Sequence, residues 1–233
     1  MTHFVLVPGA WLGAWSWARV ESLLNGAGHT VTGLTLSGLA DRREICVGEV
    51  GQATHVADIV AAVGQVDHPD VVLVGHSYSG IPVGQAAVHL QNRLNRVIYV
   101  DANLAHDDES FIGGFSERGQ NIVRQQISEN GGYWPPLEPA DFAGQDLTDD
   151  MVEQLVDRST PHPGRTLTEP ARLQVSLAQI PSTYVKCLMA GNEPTQDVQD
   201  LLKSDLWELK ELNTGHWPML SKPEDLVSVL EQA

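Results

Sequence analysis

Short apolar runs alternate with amphipathic helical segments along most of the chain, and this alternation constrains the fold more than any other feature. The runs at 4–7 (FVLV), 71–74 (VVLV) and 97–100 (VIYV) are apolar throughout and are followed by Pro, Gly and Asp respectively. Strands without a polar face are buried on both sides, as in a parallel sheet covered by helices. The sequence therefore predicts an α/β fold with a doubly wound, mostly parallel sheet.

Helical spacing of apolar residues separates these strands. We predict a helix with a glycine-rich end over 15–29, and another over 55–66 with Thr54 as its N-cap. A further strand is predicted over 30–36 (TVTGLTL) and a further helix from about 81 to 90. Each predicted strand is thus followed by a helix that can cover the sheet.

The alternation breaks at Asn103. From 103 to 180 the chain is richer in Gly, Pro and acidic residues, contains a predicted helix at 148–158 and shows no strand-like run. The alternation then resumes with predicted strands and helices at 182–189, 195–204, 206–212 and 223–232. An irregular stretch this long inside a domain is typical of a segment that covers a site. We expect residues 1–102 and 181–233 to form one core and residues 103–180 to form an inserted helical cap.

The composition is that of a globular chain, with 42% apolar and 19% charged residues among 233. No apolar run approaches the roughly 18–20 residues that span a bilayer, and no basic region precedes an apolar one at the N-terminus. The net charge of −16 disfavours nucleic acid and anionic membranes as partners. We expect a cytoplasmic protein, monomeric or homodimeric, that acts on a small molecule.

The sequence predicts neither a metal nor a cofactor. Cys46 and Cys187 are too few for a disulfide framework and have no zinc-like spacing. The chain has no H-E-x-x-H, no G-x-x-x-x-G-K-[ST] and no G-x-G-x-x-G after a strand. Any chemistry is therefore expected to come from side chains and backbone alone.

The stretch VVLVGHSYSG, residues 71–80, presents a serine between a buried strand and a helix. In a nucleophile elbow the serine occupies a strained strand-to-helix turn, and the residues two positions to either side of it must be small. Gly75 and Ser79 satisfy this requirement around Ser77, although Ser79 departs from the strict G-x-S-x-G form. The context predicts that Ser77 is a nucleophile.

A serine hydroxyl needs a base within hydrogen-bond reach, and His216 is the best placed of the nine histidines. It lies in NTGHWPML, after the last predicted strand, where a doubly wound sheet returns a loop to the carboxyl ends of its strands. His76 lies inside the elbow, where its side chain is expected to point away from Ser77. The others are interpreted as surface or packing residues: His3, His29, His55, His68, His89, His106 and His162.

The base in turn needs a carboxylate that fixes its tautomer, and the residues leave two candidates open. Asp101 ends the strand RVIYVD, and Glu193 lies in MAGNEP after the following strand. Both come at the carboxyl end of a strand, on the expected side of the sheet. We favour Asp101 and keep Glu193 as the alternative.

An oxyanion hole requires two backbone N–H groups aimed at the developing negative charge. We expect one from Tyr78, directly after the nucleophile, and the other from Ala10 in the loop PGAWLGAW. Gly9 and Gly13 would let this loop approach closely. The elbow, the base and this loop together predict an acyl-transfer site.

Four motifs together resemble the α/β-hydrolase superfamily: FVLVPGAWLGAWSW, VVLVGHSYSG, RVIYVDA and TGHWPMLSKPEDL. Within it the chain is similar to the esterase branch related to plant methylesterases and hydroxynitrile lyases. The resemblance covers nearly the whole chain apart from 103–180, with the motifs in the same order. It implies Ser77 as nucleophile, His216 as base, and the amides of Ala10 and Tyr78 as oxyanion donors.

The chain departs from this branch in the first loop and at the acid. A usual His-Gly pair of the loop is Pro8-Gly9 here, so any hydrogen bond from that His is absent. The branch usually carries its acid about where Ala190 stands, and Glu193 comes slightly later. Relatives in which the earlier strand ends in a YLDA-like motif carry an acid at the position of Asp101, and this is why we favour it.

Two positions distinguish hydrolases from lyases in this branch. The lyases carry Thr where this chain has Gly9, and Lys, a cation beside the leaving cyanide, where it has Trp217. Because Trp217 cannot supply that charge, the resemblance implies a hydrolase.

We therefore expect a carboxylesterase-like serine hydrolase that acts through an acyl-enzyme on small or medium hydrophobic esters. Trp11, Trp134 and Trp217, together with the Tyr78 ring, are expected to line an apolar pocket. A cofactor-independent lactonase or lyase on the same scaffold, and a non-catalytic small-molecule receptor, are the alternatives.

Overall fold

The computed structural model describes residues 1–233 and is organised around one six-stranded sheet. Its strands are β1 (His3–Val7), β2 (Thr30–Gly33), β3 (Val71–His76), β4 (Arg96–Val100), β7 (Ser182–Cys187) and β8 (Trp207–Leu212), while β5 (Tyr133–Trp134) and β6 (His162–Pro163) pair separately. The sheet order is β2-β1-β3-β4-β7-β8, and every neighbouring pair is parallel. The predicted α/β fold with a doubly wound parallel sheet is confirmed.

Helices connect the strands. They are α1 (Ala18–Gly26), α2 (Gln52–Gly64), α3 (Gly80–Leu90), α4 (Glu117–Glu129), α5 (Asp149–Arg158), α6 (Arg165–Thr168), α7 (Gln196–Leu201), α8 (Pro218–Ser221) and α9 (Pro223–Gln232). None of them combines the length and the apolar character that a bilayer crossing requires.

The hydrophobic core has two sides, one on each face of the sheet. On β3, Val71 and Leu73 belong to one cluster of buried residues, and Val72 and Val74 belong to another. Successive side chains of a strand point to opposite faces, so the two clusters are the two faces of the sheet. α2 and α3 contribute buried residues to the first cluster, and α1 and α9 contribute to the second. This double burial explains why the apolar runs 4–7, 71–74 and 97–100 of β1, β3 and β4 have no polar face.

Residues 103–180 add no strand to the six-stranded sheet. They contain α4, the predicted helix at 148–158 (now α5), and the short α6. The sequence showed no strand-like run in this segment, but the structure has two short strands there. β5 and β6 form an antiparallel pair in which Trp134 lies opposite His162. Strands of two residues carry no periodic pattern, so the sequence gives no signal for them.

Several predicted boundaries were wrong by about three residues, among them those of α2 and β2. α2 begins at Gln52, with Gly51 as its N-cap, rather than after Thr54. The Thr54 hydroxyl accepts the Gly51 N–H at 3.1 Å, so this residue caps the helix from within its first turn. β2 ends at Gly33 rather than continuing through 36. The order of elements is unaffected.

The carboxyl ends of β3 and β4 lie side by side, and α3 leaves the sheet tightly beside them. The last paired residues of these strands are His76 and Val100. A Cβ on Gly80 would overlap the carbonyl oxygen of Asn103 and would lie 2.8 Å from the Ala102 Cβ. The close approach of α3 to the segment after β4 therefore requires glycine at position 80.

Gly80→Ala should destabilise the fold by about 1–3 kcal/mol, because the added methyl group meets backbone atoms that cannot rotate away. Gly26→Ala is the matched control, since a Cβ there meets no atom within 4 Å. It should stabilise the chain by about 0.4–1 kcal/mol. Urea unfolding of the two variants measures both effects. Equal stability of Gly80→Ala and the wild type would contradict the close approach.

Candidate active site

Ser77 occupies the turn between β3 and α3 in a strained backbone conformation. Its φ is +55°, in the left-handed region that non-glycine residues rarely adopt. Gly75 lies beneath the turn, where a Cβ would approach the Val83 Cγ2 to 2.9 Å. The small residues around the serine thus allow the sharp turn that presents its side chain at the edge of the sheet.

Ser79 does more than satisfy a size limit. Its hydroxyl accepts the His76 N–H at 2.8 Å and lies 3.0 Å from the carbonyl oxygen of Val7 on the neighbouring strand. A glycine at this position would lack both contacts. The departure from the strict G-x-S-x-G form therefore adds hydrogen bonds that hold the turn against β1.

The structure brings His216 to Ser77. The His216 Nε2 lies 2.9 Å from the Ser77 Oγ, although the two residues are 139 positions apart. The loop that carries His216 follows β8, and the Gln145 side-chain oxygen accepts the His216 N–H at 2.8 Å. A residue of the 103–180 segment therefore helps to fix the loop of the candidate base.

Of the two candidate acids, the structure brings Asp101 to the histidine. Its Oδ2 lies 2.6 Å from the His216 Nδ1. Asp101 has a φ of +43°, so it follows β4 in the same left-handed conformation in which Ser77 follows β3. Glu193 is exposed and makes no side-chain hydrogen bond or ion pair. The sequence had left this choice open, and the geometry favours Asp101.

Asp101 is held in its charged form. Burial alone would raise its pKa, but the hydrogen bond and charge of His216 and the ammonium of Lys186 outweigh this, so the pKa lies below its usual value. The Lys186 Nζ lies 3.4 Å from Oδ1, and the Cys187 N–H donates to the same oxygen at 3.3 Å. This carboxylate is therefore able to orient the imidazole of His216.

His76, which was interpreted as the residue of the elbow that does not serve Ser77, contacts the loop of the candidate base. Its Nε2–H donates to the carbonyl oxygen of His216 at 2.7 Å. Burial lowers the pKa of His76 to about 3. A neutral His76 therefore supports the backbone of the His216 loop and does not exchange protons.

The backbone around Ala10 has the geometry expected of an oxyanion-hole loop. A Cβ on Gly9 would lie 2.8 Å from the His76 Nδ1 and 2.9 Å from the Ser77 Cβ, so only glycine permits this approach. The Trp11 N–H donates to the Nδ1 of His162 at 3.2 Å, whereas the Ala10 N–H donates to no acceptor within the chain. The Ala10 amide is thus free to donate to a ligand.

The Tyr78 ring does not line a substrate pocket, contrary to the sequence prediction. It is fully buried, and its hydroxyl donates to the His55 Nδ1 at 2.9 Å. The ring points into the core because the elbow turns the side chain after Ser77 inward. Only the backbone of Tyr78 is near the candidate hole.

Two cavities meet at His216. The smaller, of about 180 Å³, is lined by Ser77 and by the three predicted tryptophans, Trp11, Trp134 and Trp217, with Phe111 and Leu137 added. The larger, of about 440 Å³, shares His216 and Phe111 with the first and carries polar groups. Phe111 and Leu137 were not predicted to line it. No group of three or more His, Cys, Asp or Glu side chains is arranged to hold a metal ion.

A parallel sheet whose inner strand ends in a strained serine turn, with a histidine loop returning to it, defines the α/β-hydrolase fold. The chain matches the alpha/beta hydrolase family over residues 4–229, and it belongs to that family.

Its curated relatives include named esterases. The chain is 26% identical over 262 aligned positions to methyl jasmonate esterase 1 of Vitis vinifera, covering 99% of this chain and 95% of that protein. It is 32% identical over 112 residues to a carbendazim hydrolyzing esterase of Nocardioides sp. (strain SG-4G), covering 48% of this chain and 46% of that protein. A solved extracellular α/β-hydrolase from a Paenibacillus species has a TM-score of 0.87 at 21% identity, covering 100% of this chain and 99% of that one. That likeness supports the shared fold.

Asp101→Asn should lower kcat for hydrolysis of 4-nitrophenyl acetate by about 10⁴-fold, because an amide stabilises the wrong imidazole tautomer. Glu193→Gln is the matched control and should leave kcat unchanged, since Glu193 is exposed. Steady-state kinetics of both variants, after their unfolding midpoints have been compared, provides the measurement. Loss of activity in Glu193→Gln with retention in Asp101→Asn would reverse the assignment.

Proposed function

We propose that the chain is a serine esterase in which Ser77, His216 and Asp101 form the catalytic triad. The proposal rests on two hydrogen-bond contacts that share His216. The Ser77 Oγ lies 2.9 Å from the His216 Nε2, and the His216 Nδ1 lies 2.6 Å from the Asp101 Oδ2. A serine hydroxyl becomes a nucleophile when a base accepts its proton and a third group orients that base. The named esterases among the relatives agree with this chemistry.

In the first half of the reaction, His216 removes the proton of Ser77 as its Oγ attacks the ester carbonyl carbon. The carbonyl oxygen becomes an oxyanion, which accepts hydrogen bonds from the amides of Ala10 and Tyr78. The imidazolium of His216 donates its Nδ1–H to Asp101. When the tetrahedral intermediate collapses, the Nε2 proton passes to the departing alkoxide and an acyl-enzyme remains.

In the second half, a water molecule takes the place of the alcohol. His216 accepts its proton, and the water oxygen attacks the acyl carbon of the ester on Ser77. The same two amides stabilise the second oxyanion, and the proton returns to the Ser77 Oγ as the carboxylic acid leaves. The site requires no group other than side chains, backbone amides and water for this sequence.

The sizes of the two cavities favour a substrate that carries one small apolar group beside its ester carbonyl. The tryptophan-lined cavity, at about 180 Å³, lies below the roughly 300–1,000 Å³ of typical ligand pockets. We assign it to the smaller of the two groups that flank the carbonyl. The larger group would then extend into the cavity of about 440 Å³ on the other side of His216.

The larger cavity favours neutral substrates over anionic ones. Glu109 and Asp197 line it, with His106 placed 3.2 Å from the Asp197 carboxylate. The net charge of −16 has the same sign. Repulsion between like charges therefore counts against an anionic substrate both at long range and inside the site.

Ser77→Ala should lower kcat for 4-nitrophenyl acetate by roughly 10⁴–10⁶-fold, because the nucleophile is removed. Absorbance of released nitrophenol from the wild type and the variant, measured side by side, tests this. Turnover that is indifferent to Ser77 would overturn the proposal. Ligand binding without turnover of any ester or lactone would instead support the receptor alternative.

The wild type should hydrolyse 4-nitrophenyl acetate and butyrate with a higher kcat/KM than the octanoate, because the octanoyl ester has no group small enough for the tryptophan-lined cavity. Trp134→Ala should reduce this preference, since the Trp134 ring packs 4.3 Å from the Trp11 ring within that cavity. The kcat/KM values of the three esters for both proteins provide the measurement. A wild type that prefers the octanoate would contradict the assignment of the small cavity.

A further inference from the structure

His162 contacts both loops of the candidate oxyanion hole, although it belongs to the 103–180 segment. It is fully buried on β6. Its Nδ1 accepts the Trp11 N–H at 3.2 Å, and its ring packs edge-on against the Tyr78 ring with 4.6 Å between centroids. We propose that His162 is a positioning residue that fixes the Ala10–Trp11 peptide and so preforms the oxyanion hole, an inference that rests on the proposed esterase function.

The conformation of Trp11 shows why this loop needs to be held. Trp11 has a φ of +65°, which is rare for a bulky residue and persists only where the surroundings impose it. Hydrogen bonds from the 103–180 segment do so. The N–H of Trp11 donates to His162, and its carbonyl oxygen accepts the Thr160 N–H at 2.9 Å. Without the His162 acceptor, the Ala10–Trp11 peptide is free to rotate toward a less strained conformation.

Rotation of that peptide would disturb the hole directly. The orientation of Ala10 depends on the peptides on both of its sides, and Gly9 already lies in close contact with His76 and Ser77. An oxyanion hole stabilises the transition state only when its donors are aimed in advance, and a displacement of about 1 Å can cost on the order of 100-fold in rate.

The hydrogen bonds of His162 determine which ring nitrogen carries the hydrogen. Because Nδ1 accepts from Trp11, the ring hydrogen must be on Nε2, which lies 2.9 Å from the Thr166 Oγ1. Thr166 in turn donates to the carbonyl oxygen of Pro163 at 2.6 Å. Burial also lowers the pKa of His162 well below its usual value, so the ring stays neutral and Nδ1 remains an acceptor.

The two ring nitrogens can be tested separately by two amide variants. In His162→Asn the side-chain amide lies near the former Nδ1, so its oxygen can still accept the Trp11 N–H but cannot reach Thr166. In His162→Gln the amide lies near the former Nε2, so it can reach Thr166 but leaves the Trp11 N–H without an acceptor. Both variants remove the ring, and only one preserves the contact on which the proposal rests.

The experiment compares kcat and KM for 4-nitrophenyl acetate in the wild type, His162→Asn, His162→Gln and Leu177→Ala. We expect His162→Gln to lose about 10- to 100-fold in kcat with little change in KM, and His162→Asn to retain most of its kcat. Leu177→Ala is the control for general destabilisation, since it removes a buried side chain of the same segment that lines neither cavity at His216. It should lower the unfolding midpoint while leaving kcat unchanged.

A second readout separates positioning from a merely structural role. The rate at which a fluorophosphonate labels Ser77 also depends on oxyanion stabilisation, so it should fall in His162→Gln and not in Leu177→Ala. Equal kcat in the wild type and His162→Gln, or an equal loss in the two amide variants, would overturn the proposal. So would a loss in Leu177→Ala as large as that in His162→Gln.

Failure of the proposed function would look different. In that case the wild type itself would hydrolyse none of the esters, and Ser77 would resist the fluorophosphonate. Hydrogen exchange of the peptide spanning residues 9–13, read by mass spectrometry, then decides whether His162 holds the loop. Faster exchange in His162→Gln than in His162→Asn is expected, and equal exchange would overturn the positioning role.

Discussion

The parallel register of β3, β4 and β7 is the constraint on which the candidate site depends. The last residues paired among these three strands are His76, Val100 and Val185. The next residue of each strand lies in one row across the sheet, and these residues are Ser77, Asp101 and Lys186. Neighbouring strands lie roughly 4.8 Å apart, and the Asp101 N–H still donates to the Val185 carbonyl at 2.8 Å. The sheet therefore assembles a hydroxyl, a carboxylate and an ammonium before any loop contributes. His216 needs only to reach the first two members of the row, and the left-handed turns at Ser77 and Asp101 present both side chains to it.

This dependence explains how much the sequence could predict. Double burial makes the runs 4–7, 71–74 and 97–100 apolar throughout, so these inner strands, the fold class and the turn at Ser77 are visible in the sequence. The pattern did not distinguish Asp101 from Glu193 as the candidate acid, because both residues follow strands. Only the register of the strands and the burial of the two side chains distinguish them. The contacts of Gln145 with His216 and of His162 with Trp11 join positions 71 and 151 residues apart. Gln145 and His162 both lie outside the one helix predicted in the 103–180 segment, so no local signal could reveal these contacts.

The 103–180 segment does more than border the cavities. It supplies Asn103, whose N–H donates to the Ser77 carbonyl at 3.0 Å, Gln145, which accepts the N–H of the candidate base, and Thr160, which donates to the Trp11 carbonyl. Each contact is made to the backbone of a loop at the carboxyl edge of the sheet. Backbone contacts fix geometry without presenting a side chain to the substrate. Changes within this segment are therefore expected to alter reaction rate as well as substrate selection, because one set of residues shapes the cavities and holds the reacting groups.

Four histidines lie in and behind the site, and they differ in how far their side chains are buried. His55, His76 and His162 are fully buried, and burial lowers their pKa values, to about 4 for His55 and about 3 for His76. A neutral imidazole donates at one nitrogen and can accept at the other, which suits contacts such as the one from His162 to the Trp11 N–H. A protonated ring would lose its acceptor and break that contact. His216 lines both cavities and keeps 28% of its side chain exposed, and its Nδ1 lies 2.6 Å from the Asp101 carboxylate. It is the one residue of the four that is not buried. Burial therefore suits the rings of His55, His76 and His162 to rigid support, because it disfavours their charged form and leaves one ring nitrogen of each able to accept a hydrogen bond.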